Sequence, residues 1–225
     1  MLPFASLLHR EGYAVLPLDA RNHGDSDHYT FFSMQRFAED LEHGLDSMRQ
    51  QPRIDPQQLF VLGHTVGAGA VLLVASRRHD LAGVVSISAL AHPVEFMRSK
   101  MQSHHIPYVP ISWLVLRYIE RTIKASFDVI APCNTIRHLA CPVLLVHGEE
   151  DDTVLLADAR RIYSNRLDGG VELLLLPDTG HYSRESISTH DGSLLAFLRR
   201  CDAGSTRTLH RYRGAFRFTG NNLLS

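Results

Sequence analysis

The chain has 225 residues, with 23 Lys and Arg against 24 Asp and Glu, for a formal net charge of −1. That length suits one domain with a sizeable core, since single α/β domains run to roughly 250 residues. A content of 44% hydrophobic and 21% charged residues is that of an ordinary globular protein, and the near-neutral balance argues against a nucleic-acid partner or a polybasic membrane contact, both of which need a concentrated basic face.

From Pro3, the apolar positions Phe4, Leu7 and Leu8 followed by Glu11 and Gly12 predict a helix closed by a C-terminal glycine. Residues 13–18 form a short apolar run expected as a strand covered on both faces, with Pro17 near its end. Residues 19–27 are a polar, glycine-containing loop, after which Phe37, Leu41, Leu45 and Met48 recur at helical spacing. A strand over 58–62 runs through a glycine-rich turn into a helix over 68–76. Further strands are expected at 83–89, 141–147 and 171–176, with helices at 157–164 and 192–200. Strands too apolar to face water, alternating with helices, predict a mostly parallel sheet flanked by helices over residues 1–200.

Residues 90–139 break this rhythm. The segment is long for a strand-to-helix connection and rich in Met, Ile, Leu and aromatic residues. Its length favours an inserted helical cap over an ordinary helix with a long loop. Residues 201–225 show almost no periodicity and are expected as a mobile tail. Residues 59–75 approach the length of a membrane span, but Gly63, His64, Thr65, Gly67 and Gly69 suit a crossing of about 30 Å of hydrocarbon poorly. No membrane span is expected. The chain starts without the basic region and small-residue cleavage site of a secretory leader. Cys133, Cys141 and Cys201 are odd in number and form no CxxC pair, so a reducing, cytoplasmic setting is expected.

Gly63-His64-Thr65-Val66-Gly67 follows a strand and opens a helix. Glycines two before and two after the central residue relieve crowding in a sharp turn that lifts its hydroxyl above the sheet. The helix N-terminus behind that hydroxyl stabilises developing negative charge. A plain glycine-rich turn or a phosphate loop would share some of these features, but neither GxxxxGK[ST] nor GxGxxG is present at the turn. His147-Gly148-Glu149-Glu150-Asp151 sets a carboxylate just past one strand, and Gly180-His181 sets a histidine just past the next. Hydroxyl, acid and histidine in that chain order, each at the carboxyl end of a strand, point to a catalytic triad. The chain holds 14 histidines, and none falls into a zinc-ligand pattern; neither metal nor cofactor is expected.

With these motifs and the loop from Asp19 through Arg21, His23 and Gly24 to Ser26, the chain resembles the α/β-hydrolases, in particular the capped esterase and serine-aminopeptidase-like branch. The resemblance spans about residues 1 to 200. It implies Thr65 as the nucleophile, His181 as its general base, Asp151 (rather than Glu149, Glu150 or Asp152) as the orienting acid, and the Val66 N–H as an oxyanion donor. It implies an architectural role for the Asp19–Ser26 loop, and a small-molecule acyl substrate, an ester or thioester before an amide. His64 is expected beside the site. Met97, Tyr108, Trp113 and Tyr118 either line an acyl pocket or hold the cap down.

Two departures from the family pattern stand out. Thr65 replaces serine, and a β-branched residue at a strained elbow aims its oxygen less freely, so weak turnover is expected. The family fold also begins with strands ahead of the first helix, whose loop supplies a second oxyanion N–H, and Met1 is therefore expected to be an internal methionine. A non-catalytic binding protein on a hydrolase scaffold, or an inactive fragment, is the alternative reading.

Overall fold

The structure, a computed structural model, describes residues 2–21, 24, 26, 33–103, 113–167, 169–181 and 191–204. Four strands, β1 (Phe60–His64), β2 (Gly83–Ile87), β3 (Val143–Gly148) and β4 (Val171–Leu176), form a parallel sheet in the order β1-β2-β3-β4. Phe60 stands opposite Gly83, Val84 opposite Val143, and Val143 opposite Val171. Helices α1 (Leu2–Arg10), α2 (Met34–Arg49), α3 (Val66–Arg77), α4 (Pro93–Ser103), α5 (Trp113–Ile123), α6 (Phe127–Ile130), α7 (Pro132–Thr135), α8 (Leu156–Ser164) and α9 (Asp191–Gly204) complete the described elements, with a short 3-10 turn at Ile136–His138.

Alternate side chains of a strand point to opposite faces, and here both faces are covered. Val61, Val84, Val143 and Leu145 pack with α2, α3 and α7 in one core cluster. Val85, Ile87, Leu144 and Val146 pack with Phe4 and Leu7 of α1 and Leu194, Phe197 and Leu198 of α9 in another. That two-sided burial is why β2 and β3 are buried along their length and apolar but for Ser86 and His147. Helix α3 is sandwiched between the sheet and α2, with Ala68 through Ala75 buried. A Cβ on Gly69 would collide with the Met34 side chain. Ser33 caps α2, its hydroxyl accepting the Arg36 N–H at 3.2 Å.

Residues 13–18 are not a strand. Their apolar character matches that of β2, but a strand needs a ladder partner, and β1, the edge of the described sheet, pairs only with β2. Tyr13 instead donates its N–H to the Leu8 carbonyl at 3.0 Å and its hydroxyl to Asp202 Oδ2 at 2.6 Å. The last helix runs to Gly204, four residues beyond the expected end, and residues 205–225 lie outside the described part. Within 90–139 the described residues hold α4 to α7, and α7 packs directly on α3, with Ala131, Cys133 and Ile136 in the main core. No described helix is long and apolar enough to cross a membrane.

Candidate active site

The chain turns sharply from β1 into α3 at Thr65, which has φ 54° and ψ −111°. A β-branched residue at positive φ holds strain on the order of 1–3 kcal/mol. Its surroundings fix it there. The Thr65 N–H donates to the Ile87 carbonyl at the end of β2 at 2.9 Å, and the Thr65 carbonyl accepts from Gly69 N–H at 3.3 Å. A Cβ on Gly63 would overlap the Gly67 carbonyl, whereas a Cβ on Gly67 would meet nothing within 4 Å among the described residues. Among the described residues, only the first glycine of the motif therefore relieves crowding, and the second leaves open space. Ser88 and Asp178 also have positive φ. With Thr65 they put backbone strain just past the carboxyl ends of β1, β2 and β4.

Three side chains meet at that edge. Thr65 Oγ1 lies 2.9 Å from His181 Nε2, and His181 Nδ1 lies 2.7 Å from Asp151 Oδ2. Asp151 and His181 are both buried. The second carboxylate oxygen of Asp151 accepts the N–H groups of Val154 at 2.8 Å and Thr153 at 3.0 Å. Burial pushes the Asp151 carboxyl up, but the Val154 N–H, His181 and the Thr153 N–H together hold it below the ordinary carboxylate range. The acid is thus an anion whose lone pairs are aimed and occupied, and it faces the Nδ1–H of the imidazole.

The loops carrying acid and base lock together through their backbones. Glu149 N–H donates to the Leu176 carbonyl and Glu150 N–H to the Thr179 carbonyl, both at 3.0 Å. His147, fully buried at the end of β3, donates Nε2–H to the Val154 carbonyl at 2.9 Å and so closes the turn that holds Asp151. Its Nδ1 is buried without a hydrogen-bond partner among the described residues. This bracing role was missed in the sequence, although His147 stands in the motif; the signal lay in an apolar strand ending on a histidine four residues before the acid.

His64 sits closer to the chemistry than a neighbour in sequence must. Its Nδ1 is 3.1 Å from Thr65 Oγ1 and its Nε2 is 3.1 Å from the His181 carbonyl. Burial first, then the nearby His181, lowers its pKa from the ordinary histidine value. Val66 is the first residue of α3, so its N–H is among those that a helix leaves without an intrahelical acceptor. In the Asp19–Ser26 loop, Arg21 binds Asp40 of α2 through its backbone N–H at 3.1 Å and its guanidinium at 3.0 Å. Met97 is half-buried against the main core. Trp113 and Tyr118 are exposed on α5, and Tyr108, His23, His104 and His105 lie outside the described residues. Among the described residues no group of three His, Cys, Asp or Glu side chains could hold a metal.

A parallel α/β sheet carrying a hydroxyl, an imidazole and a carboxylate in contact at its carboxyl edge is the arrangement of the α/β-hydrolases. The chain belongs to that class through the family described as serine aminopeptidase S33, which matches residues 1–118. The match takes in the elbow and ends before Asp151 and His181. The chain is 27% identical over 157 residues to the lysophosphatidylserine lipase ABHD12 of Danio rerio, covering 68% of this chain and 39% of that protein. It is 33% identical over 76 residues to the sn-1-specific diacylglycerol lipase ABHD11 of Mus musculus, covering 34% of this chain and 23% of that one. The chain thus spans less than half the length of these curated relatives. In fold it is similar to the Pyrococcus furiosus esterase Pf2001, with a TM-score of 0.67 at 20% identity, covering 89% of this chain and 76% of that one.

Proposed function

We propose that the chain hydrolyses an acyl compound, an ester or thioester, through a covalent acyl-enzyme on Thr65. The observation that carries this reading is the unbroken contact from Thr65 Oγ1 through His181 to Asp151, at 2.9 and 2.7 Å. Thr65 Oγ1 attacks the acyl carbonyl carbon as its proton passes to His181 Nε2, and Asp151 steadies the imidazolium that forms. The Val66 N–H donates to the oxyanion. Collapse of the tetrahedral adduct expels the leaving group, which takes the proton back from His181. Water, deprotonated by the same nitrogen, then attacks the acyl carbon and releases the acid and the Thr65 hydroxyl. Every proton and electron pair is accounted for without a cofactor. Helices α4 and α5 belong to the cap that meets the acyl group, with Met97 and His64 as its neighbours. The lipase and esterase names of the relatives support an ester before an amide.

The second reading, a ligand-binding protein on the hydrolase scaffold, is favoured by one observation: the nucleophile position holds a β-branched residue at φ 54°. The two separate on hydrolysis of a short-chain chromogenic ester by the native chain, Thr65→Ser and Thr65→Ala, with mass-spectrometric detection of a fluorophosphonate adduct. Hydrolysis raised at least tenfold by serine, abolished by alanine, and an adduct on residue 65 are the expected results. A folded Thr65→Ser protein that neither turns over ester nor forms the adduct would refute the enzyme reading.

A further inference from the structure

We propose that the outward face of α5 docks on an anionic lipid bilayer. A helix packed on a globular core turns its apolar stripe inward and its polar residues outward. Leu116, Ile119 and Ile123 supply the inward stripe of α5 in the usual way. The outward face departs from the rule. Trp113, Leu114 and Tyr118 are 50, 56 and 71% exposed, and at 100° per residue they fall on one arc together with Arg117 and Arg121. Lys124, also exposed, follows directly after the helix. Trp113 and Tyr118, expected from sequence either to line an acyl pocket or to hold the cap down, are exposed on this face.

The charges identify the occupant. Arg117 pairs with Glu120 at 3.3 Å and its guanidinium lies 6.0 Å from the centre of the Trp113 ring. Glu120 also accepts the Phe127 N–H, and Asp128 pairs with His92 at 2.9 Å. Both local carboxylates are thus engaged, whereas Arg121 and Lys124 have no ion-pair partner among the described residues. Two copies of this face brought together about a twofold axis would set these cations against one another. A bilayer with anionic headgroups answers both halves of the surface. Trp and Tyr settle at the level of the headgroups, Leu114 reaches the acyl boundary, and the cations meet lipid phosphates. The formal charge of −1 for the whole chain averages this local excess away, which is why composition alone argued against a membrane surface.

Trp113 is the chain's single tryptophan, so its emission reports on this face alone. The intact chain is titrated with vesicles of phosphatidylcholine, with and without phosphatidylglycerol, and followed by fluorescence and co-sedimentation. Expected are a blue shift and sedimentation with the anionic vesicles, both weakened by added salt. The Arg121→Gln/Lys124→Gln double variant binds about 30-fold more weakly, from the contribution of each basic residue near an anionic surface. Leu114→Ser/Tyr118→Ser loses the shift while keeping the native far-ultraviolet circular dichroism. No response to either vesicle would overturn the proposal, as would equal binding to neutral vesicles. A blue shift that grows with protein concentration in the absence of lipid would overturn it too, and would assign the face to a second copy of the chain.

Discussion

Gly148 and Thr179 meet backbone to backbone: the Thr179 carbonyl oxygen stands where a Gly148 Cβ would project. The contact joins the loop that carries the acid to the loop that carries the base, two residues before His181. Its absence of a side chain sets the separation between Asp151 and His181 as firmly as their own hydrogen bond does. Replacing Gly148 by alanine forces the loops apart. The expected outcome is a loss of about 1–3 kcal/mol of stability, read by urea unfolding, and a fall in ester hydrolysis of roughly 100-fold, since a displacement near 1 Å costs that much in rate.

The two glycines of the elbow are not equivalent. Gly63→Ala drives a methyl into the Gly67 carbonyl, an overlap with backbone that no rotamer relieves. A loss of about 3 kcal/mol or more is expected, enough to populate unfolded chains. Gly67→Ala meets no other described residue in the first turn of α3 and gains helix propensity, so a stabilisation of about 0.5–1 kcal/mol is expected. Thermal unfolding of the two single variants, side by side, checks the contrast.

Thr65 should be costly to the fold that holds it. Thr65→Gly removes a β-branched side chain from φ 54°, and the strain relieved exceeds the added chain entropy of glycine. The variant is expected to be more stable by about 1 kcal/mol in urea unfolding and inactive toward esters. A Thr65→Gly protein less stable than the native chain would contradict the strain assignment.

Acid should weaken the fold in two windows. His64 has a lowered pKa in the folded state, so below the ordinary histidine value of about 6.5 the unfolded chain takes up more protons than the folded one, and stability falls as the pH drops. Asp151 is also lowered. Its contribution is present above the ordinary Asp value of about 4 and is lost as the pH falls through the folded value. Urea midpoints measured across pH should show His64→Gln flattening the upper window and Asp151→Asn the lower.

Much of this arrangement is legible in the sequence because burial on both faces leaves a direct trace. β2, β3 and β4 are mostly apolar runs, broken only by Ser86, His147 and Glu172, and the polar residues Ser88, Glu149 and Asp178 follow shortly after their carboxyl ends. Residues 13–18 carry the same trace without being a strand, since apolar content reports burial and not the neighbour that a ladder requires. His147 escaped notice for a related reason. Its importance comes from a carbonyl seven residues away, a partner chosen by the turn at Asp151. On α5, the core-facing positions are already filled by Leu116, Ile119 and Ile123, so the aromatic content of the segment said nothing about which side Trp113 and Tyr118 would take.

The Thr65 hydroxyl has one hydrogen and two claimants. The His181 carbonyl can only accept, so His64 Nε2 carries the proton of that ring and its Nδ1 offers a lone pair to Thr65 Oγ1. Asp151 likewise draws the His181 proton to Nδ1, leaving Nε2 as a lone pair on the same oxygen. The resting hydroxyl is therefore a two-way switch, with one throw toward the imidazole proposed as the general base and the other toward a ring with no place in the proposed reaction. Protonation of His64 turns the second lone pair into a donor and leaves the hydrogen of Thr65 a single direction to point.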